Sequence, residues 1–251
     1  MASSPGPWKG SLPRVVALVP MKHTSLRVPG KNYRDFCGRP LFHWVVGMLV
    51  DCPSIAQVVV DTDSPEVKAG LARHFPSVTV IDRPAHLLDD PPMNEILLHD
   101  TGAVEADVFL QTHSTNPFLR AETVEGALKA FFEGYPQHDS LFTVTRAHKR
   151  MYDQLGRAVN HNPSVLLRTQ DLPPIYEENS CVYIFTRETL LQNHHRIGYR
   201  PKMFPMPALE SQDIDTEFEF NVAAHMAEKL GMRDESQACA NSKDVGANGQ
   251  E

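Results

Sequence analysis

Residues Val15–Asn32 read VVALVPMKHTSLRVPGKN. The first five are apolar and mostly β-branched, the pattern of a strand buried on both faces. The run then breaks into a loop carrying Lys22, His23, Arg27 and Lys31, with Pro29-Gly30 between them. The first acidic residue of the whole chain is Asp35, so nothing inside the loop dilutes its charge. In open α/β sheets, ligands bind beyond the carboxyl ends of the strands. A cationic loop there, with a glycine that permits close backbone approach, predicts a site for a phosphate-bearing substrate.

Downstream, strand and helix patterns alternate. Helices are predicted over Leu41–Val50, Pro65–Phe75, Asn94–Ala103 and Ala121–Phe132, and strands over Gln57–Val60, Val78–Ile81, Val108–Gln111, Ser140–Thr145 and Cys181–Phe185. A last amphipathic helix, Thr216–Leu230, places Phe218, Val222, Met226 and Leu230 at four-residue spacing. Such alternation implies an α/β domain with a mostly parallel sheet covered on both faces. We assign this domain to 13–231. The Ser-, Pro- and Gly-rich segment 1–12 reads as a flexible arm, and 232–251 as a disordered polar tail. Residues 146–179 interrupt the rhythm with a long, polar, proline-containing stretch, which predicts a functional or interface segment.

Composition narrows the function. The 251 residues carry 24 Lys plus Arg against 31 Asp plus Glu, a net charge of −7. That balance argues against a broad nucleic-acid or anionic-membrane surface, so anion binding must be local. Cys37, Cys52, Cys181 and Cys239 form no CxxC or zinc-like spacing, as expected of reduced thiols in a cytoplasmic protein. No secretory leader is read in 1–14, and no apolar run approaches bilayer length.

Four segments carry candidate chemistry. The loop after the first predicted strand lacks both GxxxxGK[ST] and GxGxxG, so its phosphate logic rests on charge alone; the plainer reading is a solvated turn. In Asp213-Ile214-Asp215, extended backbone would aim both carboxylates one way and turn Ile214 inward. Two such carboxylates suit Mg²⁺ shared with substrate phosphates. The adjoining Thr216 and Glu219 fit a helix capping box, which leaves the aspartates free. Gln111–Arg120 (QTHSTNPFLR) follows a strand and is placed either for ligand contact or as a plain strand-to-helix turn. In EENSCVY (177–183), Asn179 and Tyr183 are four apart and could share one face; an ordinary strand aromatic is the simpler account of Tyr183.

In this order, PMKHTSLRVPGKN, GRPL, VVVDTDS, DRPAHL, QTHSTNPFLR, EENSCVYIF and DIDTEFEF resemble the acylneuraminate cytidylyltransferases. These enzymes activate sialic and other nonulosonic acids, and the CMP-3-deoxy-manno-octulosonate synthetases are their relatives. The resemblance spans about Arg14 to Leu230. It implies a three-layer α/β/α nucleotide-diphospho-sugar transferase fold and a homodimer whose protruding arm, here 146–179, helps build the partner's sugar site. It places Lys22, Ser25, Lys31 and Asn32 on CTP, with Arg83 and Asn94 in the nucleotide-recognition region. It places Gln111, Asn179 and Tyr183 near the sugar acid, Arg168 and Gln170 on the arm, and Asp213 and Asp215 on Mg²⁺. Lys22 stands where the family often has Arg. Leu26 stands where a Lys is common, with Arg27 beside it. The implied reaction transfers CMP from CTP to the C2 hydroxyl of a nonulosonic acid, with Lys22, Arg27 and Lys31 neutralising the leaving pyrophosphate. Two alternatives stand beside it: a nucleotidyltransferase for another sugar acid such as 3-deoxy-manno-octulosonate, and a non-catalytic sugar-nucleotide-binding protein.

Overall fold

The computed structural model describes residues 13–89 and 91–233. The segment 1–12 and the tail beyond 233 lie outside the described residues. In chain order the elements begin with β1 (Val15–Leu18), a two-residue hairpin of β2 (Asp35–Phe36) and β3 (Arg39–Pro40), and α1 (Leu41–Val50). β4 (Gln57–Thr62), α2 (Pro65–His74), β5 (Thr79–Asp82), α3 (Met93–Ala103), β6 (Val108–Thr112) and α4 (Ala121–Gly134) follow. The chain closes with β7 (Ser140–Ala147), β8 (Ile175–Phe185), α5 (Arg187–Asn193), β9 (Pro201–Pro205) and α6 (Glu217–Lys229).

Seven strands form one sheet in the order β5-β4-β1-β6-β8-β7-β9. β5, β4, β1 and β6 are parallel neighbours, β8 runs against both β6 and β7, and β9 is parallel to β7. Side-chain alternation divides the core. Val15, Ala17, Val58, Val60 and Leu110 pack with Phe42, Leu71 and Phe131 of α1, α2 and α4 on one face. Val16, Leu18, Val59, Phe109 and Phe185 pack with Leu97 of α3 and Leu190 of α5 on the other. This is the α/β/α sandwich expected from the alternation. A third cluster joins Val28, Phe36, Leu41, Phe118 and Ile214 to Phe220, Ala223 and Ala227 of α6, so the last helix closes over the loop that follows β1.

Several expectations need correction. Most of the stripe proposed for α6 points outward, Phe218 being 76% exposed and Leu230 51%, while Met226 alone of the four packs against the third cluster. The helix is phased instead by Phe220, which packs edge-on against Phe36 and carries the Arg34 guanidinium 4.2 Å from its ring centroid. Met232, assigned to the polar tail, donates its N–H to the Ala227 carbonyl and packs against the third cluster. The irregular stretch 146–179 is shorter than its assigned bounds. Val144–Ala147 pair with Glu178–Ile175, so β7 and β8 extend into it and only 148–174 leave the sheet. α5 and β9 were not anticipated; β9 is bounded by prolines and sits at the sheet edge, where a missing N–H breaks no ladder.

Candidate active site

Beyond the carboxyl ends of β1 and β6 lies a cavity of about 670 Å³. Its wall contains Lys22, Ser25, Arg27, Lys31, Asn32, Asp213 and Asp215. Half of the residues singled out in the sequence therefore converge on one space, from chain positions nearly 200 apart. Another groove, at the amino end of β1 beside Arg14, Glu125 and Lys129, gathers none of them.

The cationic loop is held in shape by its own backbone. Lys31 donates its N–H to Val28, and Tyr33 and Arg34 both donate to the Gly30 carbonyl. Gly30 has φ +66°, and a Cβ there would come within 2.9 Å of the Tyr33 ring, so the turn demands glycine. The Asn32 amide donates to the Lys22 carbonyl at 2.8 Å and accepts from the Ser114 hydroxyl at 2.7 Å. Asn32 thus pins the loop to the end of β6, a structural task in addition to any ligand contact. The Ser25 hydroxyl accepts the Val28 N–H at 3.4 Å.

The second wall is Asp213-Ile214-Asp215. Ile214 is fully buried, and its N–H donates to the Thr115 carbonyl. Both aspartates face the cavity, as extended geometry requires. Lys31 Nζ donates to the Ile214 carbonyl at 2.6 Å and to Asp215 Oδ1 at 3.4 Å, and Arg27 Nη2 reaches the same oxygen at 2.9 Å. Burial pushes the Asp213 carboxyl up, against the hydrogen bond from Thr115 and reinforced by the charge of Asp215. Immediately after, Thr216 and Glu219 form the anticipated capping box, leaving both aspartates to the cavity. Two hard-oxygen donors beside a wall of cations form a set that fits a magnesium-bound phosphate chain.

The remaining predicted residues are placed otherwise. Asn179 and Tyr183 do not share a face. The β7–β8 ladder shifts register between Phe142 and Val144, and Ser180 takes φ +55°. This bulge sends Asn179 to Thr143 and Thr145, at 2.7 and 3.1 Å, while Tyr183 pairs with Phe142 on the alternate face. Gln111, Asn179 and Tyr183 all stand behind the cavity wall; Ser180, His113 and Arg196 line it in their place. Arg83 is also outside that wall. Its side chain is 5% exposed, and its Nε donates to Asp61 of β4. Asn94 accepts the Arg196 N–H at 3.2 Å. Arg168 pairs with Asp171 at 2.7 Å and, like Gln170, is exposed on the 148–174 excursion.

Arg196 and His113 escaped the sequence reading. His113 stood inside the quoted QTHSTNPFLR, where its position directly after a strand was the available signal. For Arg196 the signal existed only in three dimensions. Gln111 and Tyr183 are register partners across β6 and β8, and Arg196 lies over them. Its Nη1 donates to Gln111 Oε1 at 2.5 Å, and its guanidinium carbon is 3.5 Å from the Tyr183 ring centroid. Since Gln111 Oε1 accepts from Arg196, its Nε2 is the donor to His113 Nε2 at 3.2 Å. His113 therefore keeps its proton on Nδ1. Burial first, then the charges of Arg196 and Lys31, lower its pKa to about 4, so the imidazole is neutral near pH 7.

Beneath Arg83 lies a buried carboxyl pair. Asp61 and Asp100 are each 1% exposed, and one oxygen of each, Oδ2, has no hydrogen-bond partner. With His99 they bring three ligand atoms within 4.8 Å of one another, yet Arg83 already supplies a cation to Asp61. Burial first, and then the charge of Asp61, pushes Asp100 up to about 8. Asp100 thus holds a proton at neutral pH.

Comparison with known proteins gives this arrangement a class. A solved CMP:2-keto-3-deoxy-manno-octonic acid synthetase, complexed with CTP, matches with a TM-score of 0.63 at 19% identity, covering 86% of this chain and 99% of that one. The 4-diphosphocytidyl-2C-methyl-D-erythritol synthase of Anaerococcus prevotii matches with a TM-score of 0.59 at 10% identity, over 86% and 96% of the two chains. The fold is that of the nucleotidyltransferases. Residues 16–231 match the family model described as cytidylyltransferase, and the chain belongs to that family of enzymes. Its relatives include the post-translational flagellin modification protein B of Campylobacter coli, 24% identical over 82% of this chain and 92% of that protein. The CMP-N,N'-diacetyllegionaminic acid synthase of Legionella pneumophila is 25% identical over 86% and 97%. N-acylneuraminate cytidylyltransferase A of Danio rerio is 25% identical over 91% of this chain, which spans about half of that longer protein (54%).

Proposed function

We propose that the protein transfers CMP from CTP to the C2 hydroxyl of a nonulosonic acid of the sialic or legionaminic type, releasing pyrophosphate. The observation that carries this reading is the single cavity in which Lys22, Arg27 and Lys31 face Asp213 and Asp215. The sugar hydroxyl attacks the α-phosphorus in line. A bond forms from the sugar oxygen to phosphorus, the α–β anhydride breaks, and the hydroxyl proton is lost to solvent. Lys22, Arg27 and Lys31 neutralise the charge that moves onto the pyrophosphate, so positioning and electrostatics supply most of the rate. Asp213 and Asp215 would hold Mg²⁺, which when bound offsets charge on the phosphate oxygens. His113, neutral and already accepting at Nε2, orients rather than abstracts.

The same reading makes the protein a cytoplasmic homodimer. The excursion 148–174 leaves the sheet with Leu155 70% and Leu166 90% exposed, an apolar surface for a second copy to cover. Arg168 and Gln170 would then reach the partner's sugar site.

The test is pyrophosphate release with CTP, Mg²⁺ and a panel of sialic, legionaminic, pseudaminic and 3-deoxy-manno-octulosonic acids, with ATP, GTP and UTP as controls. Release with CTP and a nine-carbon acid is expected, and Asp215→Asn should lower turnover by about 100-fold or more with the melting curve unchanged. Release with the eight-carbon acid alone would move the chain to the octulosonate branch. CTP binding without turnover on any acid would favour a binding protein.

A further inference from the structure

Arg196 belongs to no motif, yet it is the best-braced cation of the cavity wall. Its N–H is fixed by Asn94, its guanidinium plane rests on the Tyr183 ring, and Nη1 is gripped by Gln111. Tyr183 is itself tethered, its hydroxyl donating to Glu178 and lying 3.2 Å from the Ser180 hydroxyl. Lys22, Arg27 and Lys31 all come from the β1 loop, and Arg27 and Lys31 already share Asp215. Arg196 comes from the turn after α5, beside Met93, His113 and Ser180. Among the described residues no carboxylate lies within 4 Å of it; Gln111 accepts from it, the Tyr183 hydroxyl also bonds it, and the Glu178 charge acts on it from behind Tyr183.

A half-buried guanidinium with no carboxylate in direct contact leaves its outer N–H groups to a ligand anion. Its planar fork offers two parallel N–H bonds, the geometry that suits a carboxylate. We propose that Arg196 is the specificity-determining residue of this site and takes the C1 carboxylate of the sugar acid. In this scheme Gln111 and Tyr183 are positioning residues that aim the guanidinium. The inference rests on the proposed reaction, and it explains how the enzyme would distinguish an acid from a neutral ketose of the same shape. It also gives Gln111 and Tyr183 a role consistent with their place behind the wall.

The experiment compares wild type, Arg196→Gln and Arg196→Lys in pyrophosphate release. Each uses the best acid from the panel and, in parallel, that acid's C1 carboxamide. Arg196→Gln should raise KM for the acid by about 100-fold, the loss expected when a buried charge-assisted pair is broken. Arg196→Lys keeps the charge without the fork and should raise it by about 10-fold. KM for CTP should stay within about twofold of wild type in both. The decisive readout is the acid-to-amide preference in kcat/KM, which should be large in wild type and collapse in Arg196→Gln. A merely structural role would not move that ratio. An unchanged preference, or a rise in KM for CTP matching that for the acid, would overturn the assignment while leaving the reaction intact. A wild-type enzyme inert toward every acid would overturn the proposed reaction and this inference with it. Thermal melts of both variants check that the fold survives.

Discussion

At the scale of single residues, the Asp61–Asp100 pair makes the clearest prediction. Two buried carboxyls face each other, and only Asp61 is served by a guanidinium. In the folded protein Asp100 keeps its proton up to about pH 8, whereas in the unfolded chain it would release it near about pH 3.9. Between those values the folded state binds the extra proton. Stability from this group is therefore complete below the unfolded pKa and is lost as pH rises through the folded one. Asp100→Asn carries a permanent N–H donor in the proton's place. Its urea midpoint should fall less than that of wild type between about pH 5 and about pH 8. Parallel pH profiles in the two proteins would show that Asp100 holds no extra proton in the folded state. The pair stands directly under Arg83, so the same variant reports on how firmly that guanidinium is seated.

At the scale of elements, α6 shows which signals are local. Its start was legible because Thr216 and Glu219 satisfy each other's backbone within four residues, and no distant partner is required. Thr216→Ala should cost about 1 kcal/mol of stability in chemical denaturation, with Thr216→Ser recovering most of it; an unchanged midpoint would mean the cap contributes nothing. The buried face of the same helix was not legible. Phe218, Val222, Met226 and Leu230 make the bulkier stripe, but Phe36 and Leu41, far away in the chain, select Phe220, Ala223 and Ala227, with Met226 at the edge of that contact. The shared orientation of Asp213 and Asp215 and the cationic character of the loop after β1 followed from two-residue periodicity and charge, which act within a few residues. Asn179 did not follow, because the bulge at Ser180 resets the alternation of β8. Arg196 did not follow either, since its meaning depends on a contact with Gln111, 85 residues earlier.

At the scale of the whole molecule, the sheet sets the division of labour. Its parallel half, β5 through β6, delivers the cationic loop and the polar turn after β6, while the antiparallel β7–β8 pair carries the excursion 148–174 between its strands. Among the described residues, no helix is long and apolar enough to cross a membrane. If a second copy covers the excursion, Leu155→Asp combined with Leu166→Asp should convert a dimer to a monomer in sedimentation velocity. The double variant should also weaken use of the sugar acid more than use of CTP. A wild-type monomer at micromolar concentration would remove the dimer from the scheme. Completion of the site also depends on the last stretch of chain. Lys31 closes on Ile214 and Asp215, more than 180 residues later, and Val28 lies in the cluster that α6 completes. During synthesis the cationic loop leaves the ribosome more than 180 residues before its far wall exists. A chain terminated before Ile214 would therefore keep the cationic loop but lack the wall on which Arg27 and Lys31 close.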